Sequence, residues 1–245
     1  MATDTGIYQR ADIYHDFYHG RGKDYRAEAA LVRDLVRERA PGAASLLDVA
    51  CGTGAHLREL AGSFGEVVGV DLAPEMLAVA ERHNPELQLH QGDMRDFRLD
   101  RRFDAVTCMF SSAGYLPTAA DLDRAVQNLA DHLAPGGVLL LEPWWFPENF
   151  LPGWVGADVV TVDGRTIARV SHTVRQGGSS RMEVHYTVAA PDTGIEHFTD
   201  THVMSLFDRA TYETAFRRAG LTPEYVKHDL VAPGIFAGTA EGGRA

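Results

Sequence analysis

Short apolar runs alternate with amphipathic stretches over the first 142 residues of the chain. Residues 23–39 carry apolar side chains at helical spacing, and residues 121–129 repeat that pattern, so both segments are predicted helices. The run at 103–110 is nearly continuously apolar, as expected of a parallel strand buried on both faces. Further apolar runs predict strands at 45–49, 66–70, 88–91 and 138–142. Strand–helix alternation at this spacing predicts a doubly wound, mostly parallel α/β sheet.

The pattern changes between residues 143 and 205, where polar and apolar residues alternate with period two. A glycine pair and a Pro-Asp-Thr-Gly run separate the alternating segments, as hairpin turns would. These segments predict an inserted three-stranded antiparallel sheet with strands at 166–175, 180–188 and 196–204. A helix and two final strands follow, which gives the core sheet seven strands. The sequence therefore predicts an N-terminal segment and core over 1–142, an insertion over 143–205, and the end of the core over 206–245.

The composition narrows the class of protein. The chain has 245 residues, 45% hydrophobic residues and a formal net charge of −11. This acidic balance argues against nucleic acid or an anionic membrane as a partner, because both favour a basic face. The first residues lack the features of a signal peptide, and two cysteines suit a reducing compartment, so we expect a cytoplasmic protein. His15 and His19 have the spacing of a helical metal-ligand pair, but no third ligand follows, so we expect no metal.

A glycine-rich turn follows the first predicted strand at residues 48–54, which read Asp-Val-Ala-Cys-Gly-Thr-Gly. Glycines there let backbone N–H groups approach a ligand where a Cβ would collide. Asp71 ends the second strand, where a carboxylate can accept both hydrogens of a ribose diol. No Lys-Ser/Thr pair follows the glycines, which excludes a phosphate-binding P-loop. Together these features predict an adenosine cofactor, and the whole constellation favours S-adenosylmethionine (SAM).

The remaining cofactor contacts are predicted from the ends of the parallel strands. Asp48 opens the glycine-rich motif, Ala50 stands where glycine is usual, and Gly52 lets the backbone approach the methionine part of SAM. Asp93 follows the third strand, where it can accept from the adenine amino group. The ring faces and the sulfonium are expected against Leu72, Met76, Met94 and Met109. Taken singly, Asp71 could instead cap a helix and Asp93 could form a turn.

Several longer segments resemble the N,N-dimethyltransferases that complete dTDP-linked aminosugars such as desosamine and mycaminose. The resemblance covers nearly the whole chain, and its most specific segments are Gly-Arg-Gly-Lys-Asp-Tyr at 20–25 and Glu-Pro-Trp-Trp-Phe-Pro-Glu at 142–148. Further matching segments lie at 47–54, 92–97, 108–112, 169–172 and 182–186. The resemblance implies a homodimeric, SAM-dependent N-methyltransferase that dimethylates a nucleotide-linked aminosugar in antibiotic biosynthesis.

The resemblance also implies that the N-terminal segment folds over the SAM site as a lid, with Tyr14 and Tyr25 against the cofactor or the sugar. The inserted sheet would bind the nucleotide sugar and a partner subunit. The sequence departs from relatives at 231–234, which reads Val-Ala-Pro-Gly and lacks an arginine suited to the diphosphate. It also has Tyr115 where some relatives have histidine. The first departure leaves the diphosphate contact open.

Methyl transfer to an amine needs alignment more than a strong base, because an alkylamine loses a proton readily near neutral pH. Weak assistance is expected from Tyr14, Tyr115, Glu142 or a water molecule. Aromatic rings near a sulfonium or an ammonium contribute about 0.5–2 kcal/mol each. Trp144 and Trp145 supply two such rings. Since neighbouring strand residues face opposite ways, we expect one in the core and the other in the site.

Phosphate groups are recognised best by guanidinium side chains. Alternation places Arg169 and Ser171 on one face of their strand, and likewise Arg181 and His185, so we expect a polar face that binds the sugar diphosphate. A solvent-exposed sheet face is the default alternative. Two other functions stay open. One is a SAM-dependent N- or O-methyltransferase of another small natural-product acceptor, and the other is a non-catalytic SAM-binding module.

Overall fold

The structure, a computed structural model, describes residues 6–240. The prediction that the chain lacks a signal peptide depends in part on residues 1–5, which lie outside the described residues. Three helices form the N-terminal segment: α1 (Gly6–Gln9), α2 (Ala11–Gly20) and α3 (Tyr25–Arg39). Asp24 accepts a hydrogen bond from the Ala27 N–H at 2.9 Å and so caps α3. The 20–25 motif therefore ends one helix and begins the next.

The first part of the core alternates strands and helices as predicted. Its elements are β1 (Ser45–Val49), α4 (Ala55–Ala61), β2 (Glu66–Asp71), α5 (Pro74–His83), β3 (Gln88–Gln91), β4 (Phe103–Cys108), α6 (Ala119–Asp131) and β5 (Leu133–Leu141). Apolar residues fill β1, β4 and β5, and nearly all of them are buried. These strands are therefore the centre of the core.

The insertion is a separate antiparallel sheet of four strands, not three. In order, they are β6 (Trp154–Val162), β7 (Arg165–Gln176), β8 (Ser179–Ala190) and β9 (Gly194–Ser205). The sequence reading missed β6, an edge strand. Trp154, Val155 and Val159 are exposed on it, whereas Val160 is buried. Its apolar residues therefore do not alternate strictly, and the period-two signal is lost.

The chain returns to the core with α7 (Arg209–Arg218), β10 (Leu221–His228) and β11 (Val231–Ala240). The core sheet has seven strands in the order β10-β11-β5-β4-β1-β2-β3. β11 is antiparallel to both of its neighbours, and the other pairs are parallel. Helices α3 and α4 pack in one apolar cluster with the sheet, and α6 and α7 in another. The predicted doubly wound, mostly parallel sheet is confirmed.

Helices α1 and α2 contact both the insertion and the core. Phe17 of α2 packs in one apolar cluster with Val184 and Tyr186 of the inserted sheet. Ala11, at the start of α2, packs with Met76 of α5. The N-terminal segment is thus placed where the predicted lid would need to be.

Three broad properties concern membranes, metals and thiols. Within residues 6–240, no helix combines the length and the apolar character needed to cross a membrane. The same part of the chain contains no group of three or more His, Cys, Asp or Glu side chains that could hold a metal ion. Cys51 and Cys108 are both buried free thiols.

Candidate active site

The loop between β1 and α4 forms the floor of a cup, which we define as residues 50–54 together with Asp71 and Asp93. Ala50 and Gly52 adopt left-handed backbone conformations with φ of 61° and 57°. A Cβ at Gly52 would lie 3.3 Å from the Cε of Met76, so the loop is closely packed there. Glycine adopts this conformation most readily. Ala50 stands where glycine is usual, but it also adopts the left-handed conformation. Alanine has the smallest side chain after glycine.

Two carboxylates support the floor of the cup. Asp71 accepts hydrogen bonds from the Gly52 N–H at 2.7 Å and the Ala73 N–H at 2.9 Å, which tie the end of β2 to the loop. Burial raises the pKa of Asp71. Asp48 is buried in β1, where the Thr107 hydroxyl donates to it at 2.7 Å. Burial raises the pKa of Asp48 to about 6. Asp71 therefore holds the loop in shape, whereas Asp48 ties β1 to β4 below it.

Asp93 forms the far end of the cup, after β3. Arg95 donates to its carboxylate from Nη2 at 2.5 Å and from the backbone N–H at 2.9 Å. The hydrogen bond from Arg95 holds the pKa of Asp93 below its usual range. Sequence reasoning missed this arginine, which is two positions further along the chain. The four apolar side chains predicted near the cofactor differ in exposure. Met76 and Met109 are buried. Met94 is half-buried, and Leu72 is exposed.

Aromatic side chains of the N-terminal segment form a row that reaches the end of β4. The ring centroids of Tyr14 and Tyr18 are 4.6 Å apart, and Tyr18 meets Phe110 edge-on at 5.1 Å. Tyr8 extends the row at 5.9 Å from Tyr14. Burial raises the pKa of Tyr14 well above its usual range, so its hydroxyl keeps its proton. The row supplies the aromatic surroundings that the sequence predicted.

A buried ion cluster lies beside this row, and sequence reasoning missed it. Glu28 is 5% exposed, lies 2.7 Å from the Nε2 of His56, and forms an ion pair with Lys23. The Lys23 ammonium sits 4.1 Å from the centroid of the Phe110 ring. Tyr25 packs edge-on against His56 at 5.0 Å. The 20–25 motif is thus fixed against the end of β4.

Glu142 holds the turn that follows β4. Phe110 and Ser111 have φ of 56° and 60°, a conformation that costs a non-glycine residue about 1–3 kcal/mol. Glu142 accepts the Phe110 N–H at 2.7 Å. The Ser111 hydroxyl lies 2.9 Å from the Pro143 carbonyl oxygen and 3.2 Å from the second carboxylate oxygen of Glu142. Glu142 is 5% exposed, and burial raises its pKa. Since the carboxylate is buried and already accepts the Phe110 N–H of this turn, the geometry favours a positioning role over the predicted role as a base.

The two neighbouring tryptophans follow β5 in an irregular segment. The prediction that they alternate along a strand is wrong, because no ladder partner orders this stretch. Trp144 and Trp145 are both half-buried, with ring centroids 6.4 Å apart. Trp144 donates from Nε1 to the Ser180 hydroxyl at 2.9 Å, which links it to the inserted sheet. Strand alternation therefore does not assign one tryptophan to the core and the other to the site.

The polar side chains predicted on the insertion divide between its two faces. Arg169 and Ser171 are buried on the inner face, toward α2. Arg181 and His185 lie on the outer face, where each pairs with an exposed valine of β7. The prediction of one shared polar face is wrong. The β7–β8 register pairs odd-numbered with even-numbered residues, and alternation within each strand cannot reveal that register.

Arg169 is a buried cation without an acidic partner. It is 8% exposed, and its Nη1 donates to the Ser171 hydroxyl at 3.1 Å. Its Nη2 lies 3.5 Å from the sulfur of Met182, and its Nε has no hydrogen-bond partner. No ion pair within the described residues includes this guanidinium. The centroid of the Phe17 ring lies 5.8 Å from the Arg169 guanidinium, which places Arg169 next to α2.

Tyr115 belongs to a chain of polar side chains between the core and the insertion. Its hydroxyl lies 2.7 Å from the hydroxyl of Tyr8 and 2.8 Å from the Nδ1 of His202. The Nε2 of His202 lies 3.4 Å from the Oδ2 of Asp200. Sequence reasoning predicted a role for Tyr115 and missed its three neighbours. Period-two alternation along β9, which puts Asp200 and His202 on one face, was the available signal.

Several known proteins have sequences similar to this chain over nearly all of its length. A family model described as a methyltransferase domain matches residues 46–137. A dTDP-3-amino-3,4,6-trideoxy-alpha-D-glucopyranose N,N-dimethyltransferase from Streptomyces venezuelae is 57% identical over 228 residues, which cover 93% of this chain and 96% of the relative. The chain belongs to the family of dTDP-aminosugar N,N-dimethyltransferases. A dTDP-3-amino-3,6-dideoxy-alpha-D-glucopyranose N,N-dimethyltransferase from Streptomyces fradiae is 54% identical to this chain. The match covers 93% of this chain and 89% of that relative.

Solved structures of sugar methyltransferases have the same fold. The crystal structure of Streptomyces venezuelae DesVI matches with a TM-score of 0.91 and 56% identity, covering 94% of this chain and 98% of that one. SAM-bound CalS10, an amino pentose methyltransferase from Micromonospora echinaspora, matches with a TM-score of 0.85 and 48% identity. The match covers 93% of this chain and 96% of CalS10. This chain is therefore a SAM-dependent methyltransferase.

The residues of the cup fit SAM. The left-handed loop over Gly52 leaves backbone close to any group bound there, and Asp71 keeps acceptor capacity because a carboxylate has about four lone-pair sites. Aromatic rings at Tyr14, Tyr18 and Phe110 suit a sulfonium. No feature of the cup contradicts the cofactor that the sequence predicted.

Proposed function

We propose that this enzyme transfers two methyl groups from SAM to the amino group of a dTDP-linked aminodeoxyhexose in antibiotic sugar biosynthesis. Relatives at 57%, 54% and 47% identity are named as N,N-dimethyltransferases of three such sugars, the third from Saccharopolyspora spinosa. In this chain, the observation that carries the proposal is Arg169. A buried guanidinium without an acidic partner costs free energy until an anion compensates it. A nucleotide diphosphate supplies such an anion.

The cofactor contacts follow from the cup. We place the ribose diol at Asp71, the adenine amino group at Asp93, and the methionine part along the backbone of residues 50–54. Leu72, 53% exposed, and the half-buried Met94 supply surfaces for the adenine ring. The residues that shape or line the rest of this site are Tyr14, Tyr25, Asp48, Ala50, Gly52, Met76 and Met109.

When bound, SAM would supply an electrophilic methyl group on its sulfonium. The acceptor amine must then lie in line with the S–CH₃ bond, opposite the sulfur. The aromatic row excludes water from that path and stabilises the positive charge as it moves from sulfur to nitrogen. Tyr14 and Tyr115 keep their protons, because burial raises the pKa of both hydroxyls. They orient the amine through hydrogen bonds. Glu142 contributes by fixing the turn at Phe110, and alignment provides most of the rate enhancement.

The sugar nucleotide lies between the core and the inner face of the insertion in this proposal. Arg169 and Ser171 bind the diphosphate, and the guanidinium takes over the role of the arginine that residues 231–234 lack. Trp144 and Trp145 stand at the junction of the two sheets and pack against the sugar or the base. Arg181 and His185 lie on the opposite face, so we assign them to the surface of the insertion and not to the sugar.

We propose that the enzyme works as a homodimer joined through the outer face of the insertion. Val159 is 71% exposed, Val170 52% and Ile195 77%, and apolar surface of this kind commonly marks an interface. Light scattering coupled to gel filtration should give a dimer for the native chain and a monomer for Val159→Lys. A native chain that runs as a monomer at micromolar concentration would contradict the dimer.

We place the reaction in the cytoplasm, where SAM is made and where free thiols such as Cys51 and Cys108 persist. Recovery of the enzyme from a source organism in the membrane or secreted fraction would contradict this assignment.

The function is tested by incubating the native enzyme with SAM and a panel of dTDP-aminosugars. The expected product carries two additional methyl groups, detected by mass spectrometry, with a monomethylated intermediate at early times. Free aminosugars without the nucleotide serve as the control and should react much more slowly, because they cannot engage Arg169.

The missing arginine at 231–234 is the one observation that favours a second function, methylation of another small natural-product acceptor. Turnover of a non-nucleotide amine or hydroxyl, with no turnover of the dTDP-sugars, would establish it. Binding of SAM without turnover of any acceptor would instead indicate a non-catalytic module.

A further inference from the structure

Four side chains form a continuous polar path from the aromatic row into the interior. Tyr8 lies on α1, Tyr115 on the short helical turn Ser112–Tyr115, and His202 and Asp200 on β9. The successive contacts measure 2.7, 2.8 and 3.4 Å. His202 is 5% exposed and Asp200 4%, so the inner half of the path is shielded from water. Buried polar groups in a sequence of this kind need a reason, because burial of each one costs free energy.

The contacts fit one consistent direction of hydrogen bonding. A carboxylate beside Nε2 of His202 favours the tautomer with its proton on that nitrogen, which leaves Nδ1 as an acceptor. Tyr115 then donates to Nδ1, and Tyr8 donates to the Tyr115 oxygen. The oxygens of Tyr8 and Tyr115 keep free lone pairs at the end nearest the aromatic row. The path therefore presents a hydrogen-bond acceptor to the site, and a neutral imidazole beside Asp200 lies at its inner end.

We propose that this path removes the proton that the acceptor amine loses during methylation. Tyr8 and Tyr115 meet the amine, while His202 and Asp200 act through them as positioning residues. This inference rests on the proposed function. In the balanced step, the amine lone pair forms the N–C bond and the S–C bond breaks, with its electrons left on sulfur. The ammonium proton passes to a tyrosine oxygen as the Tyr115 proton passes to Nδ1. The resulting imidazolium later returns the proton through the same hydroxyls to water that enters the site after the product has left.

The charges around His202 are compatible with this role. Asp200 on β9 stabilises an imidazolium, whereas Arg169 on β7 opposes it, and the facing groups on the turn and α1 are the neutral hydroxyls of Tyr115 and Tyr8. Burial lowers the pKa of His202, which keeps the imidazole neutral near neutral pH and leaves Nδ1 free as an acceptor. A second proton arises when a second methyl group is added, so a dimethyltransferase needs the path twice.

The path is also connected to the lid. The Ile7 N–H at the start of α1 donates to Asp200 at 3.1 Å, and Arg10 forms an ion pair with Glu196 on the same strand at 2.8 Å. Docking of α1 on β9 therefore brings Tyr8 to Tyr115. Assembly of the path is expected to coincide with closure of the site.

The test compares the pH dependence of kcat for the native enzyme, His202→Gln and Tyr115→Phe with saturating SAM and dTDP-aminosugar. Both variants should lose roughly a hundredfold in kcat near neutral pH, the lower end of what a positioned acid or base contributes. The loss should shrink as the pH rises, because hydroxide and other bases in solution then take the proton of the new ammonium without the path. Affinity for SAM should stay unchanged. His172→Gln replaces an exposed histidine of the same sheet and should leave the profile intact.

A parallel pH profile for all of these enzymes would overturn the path, even if the variants are slower, because a purely structural effect lowers kcat equally at every pH. Should His202→Gln fail to fold, Tyr115→Phe decides the matter, since it removes only one hydroxyl. Failure of the proposed function is distinguishable, because the native enzyme itself would then not methylate any aminosugar.

Discussion

The cup and the inner face of the insertion hold their charged groups in opposite ways. In the cup, Asp71 and Asp93 are already hydrogen-bonded by their own neighbours, Gly52, Ala73 and Arg95. On the insertion, Arg169 is buried with no acidic partner among the described residues and with an unpartnered Nε. The cup is thus organised before any ligand arrives, whereas the insertion contains a buried positive charge without a negative partner. If the proposed function is correct, SAM binds to a site that is already organised, and the sugar nucleotide completes the charge balance of the other.

The largest expected effect comes from the cup. Asp71→Ala removes the acceptor for two backbone N–H groups and the proposed acceptor for the ribose diol, so SAM affinity should fall by about 3 kcal/mol, roughly a hundredfold. Isothermal titration with SAM measures it. Asp71→Asn keeps one acceptor oxygen and should lose less. Unchanged affinity in Asp71→Ala would remove this carboxylate from the cofactor site.

The next effect concerns the cost of burying Asp48. Its pKa of about 6 in the folded enzyme exceeds the ordinary value of 3.8, so the folded state binds more protons than the unfolded state between these values. Stability from this group is therefore full at low pH and is lost as the pH rises through about 6. The free energy of unfolding should fall by about 2–3 kcal/mol more in the native chain than in Asp48→Asn between about pH 4 and pH 7.

Urea unfolding at several pH values gives the comparison directly. Other groups titrate in both proteins, so only the difference between the two curves counts. Parallel curves would show that burial does not destabilise the ionised form of Asp48.

The third effect separates the two regions. Arg169→Met should raise the KM for the dTDP-sugar about tenfold, near 1.4 kcal/mol, and leave the Kd for SAM unchanged. Since it removes a buried charge without a partner, the melting temperature should stay level or rise. Steady-state kinetics and calorimetry test both halves. A marked loss of stability with normal KM would show that Arg169 serves the fold and not the substrate.

The smallest effect is expected at Glu142. Glu142→Gln keeps an acceptor for the Phe110 N–H and can donate to Ser111, so kcat should change by less than about threefold. Glu142→Ala serves as the contrast and should destabilise the chain by about 1–3 kcal/mol, because the turn loses its acceptors. A hundredfold loss of kcat in Glu142→Gln with normal stability would restore Glu142 as a base.

The cup could be predicted from the sequence because its chemistry sits at strand ends. Residues 48–54 and Asp71 are placed by a local strand-and-turn pattern, and the structure brings them together through direct hydrogen bonds. Asp93 follows the same rule. Its partner Arg95 was missed, because a motif does not show which neighbouring charge will pair.

The insertion could be predicted only in outline. Strand alternation assigns a residue to one of two faces, but which face of β8 matches which face of β7 depends on the register across the turn. That is why Arg169 and His185 were expected together and lie apart. The edge strand β6 was missed for lack of a buried face, and the path through His202 joins three distant segments that no local pattern connects.

The most direct test of the central claim is a product analysis with the native enzyme, SAM and a dTDP-linked 3-amino-deoxyhexose. The account predicts a sugar nucleotide that carries two new methyl groups on nitrogen, formed in step with two equivalents of demethylated cofactor. Recovery of the unmodified sugar nucleotide, while the same enzyme preparation binds SAM, would contradict it.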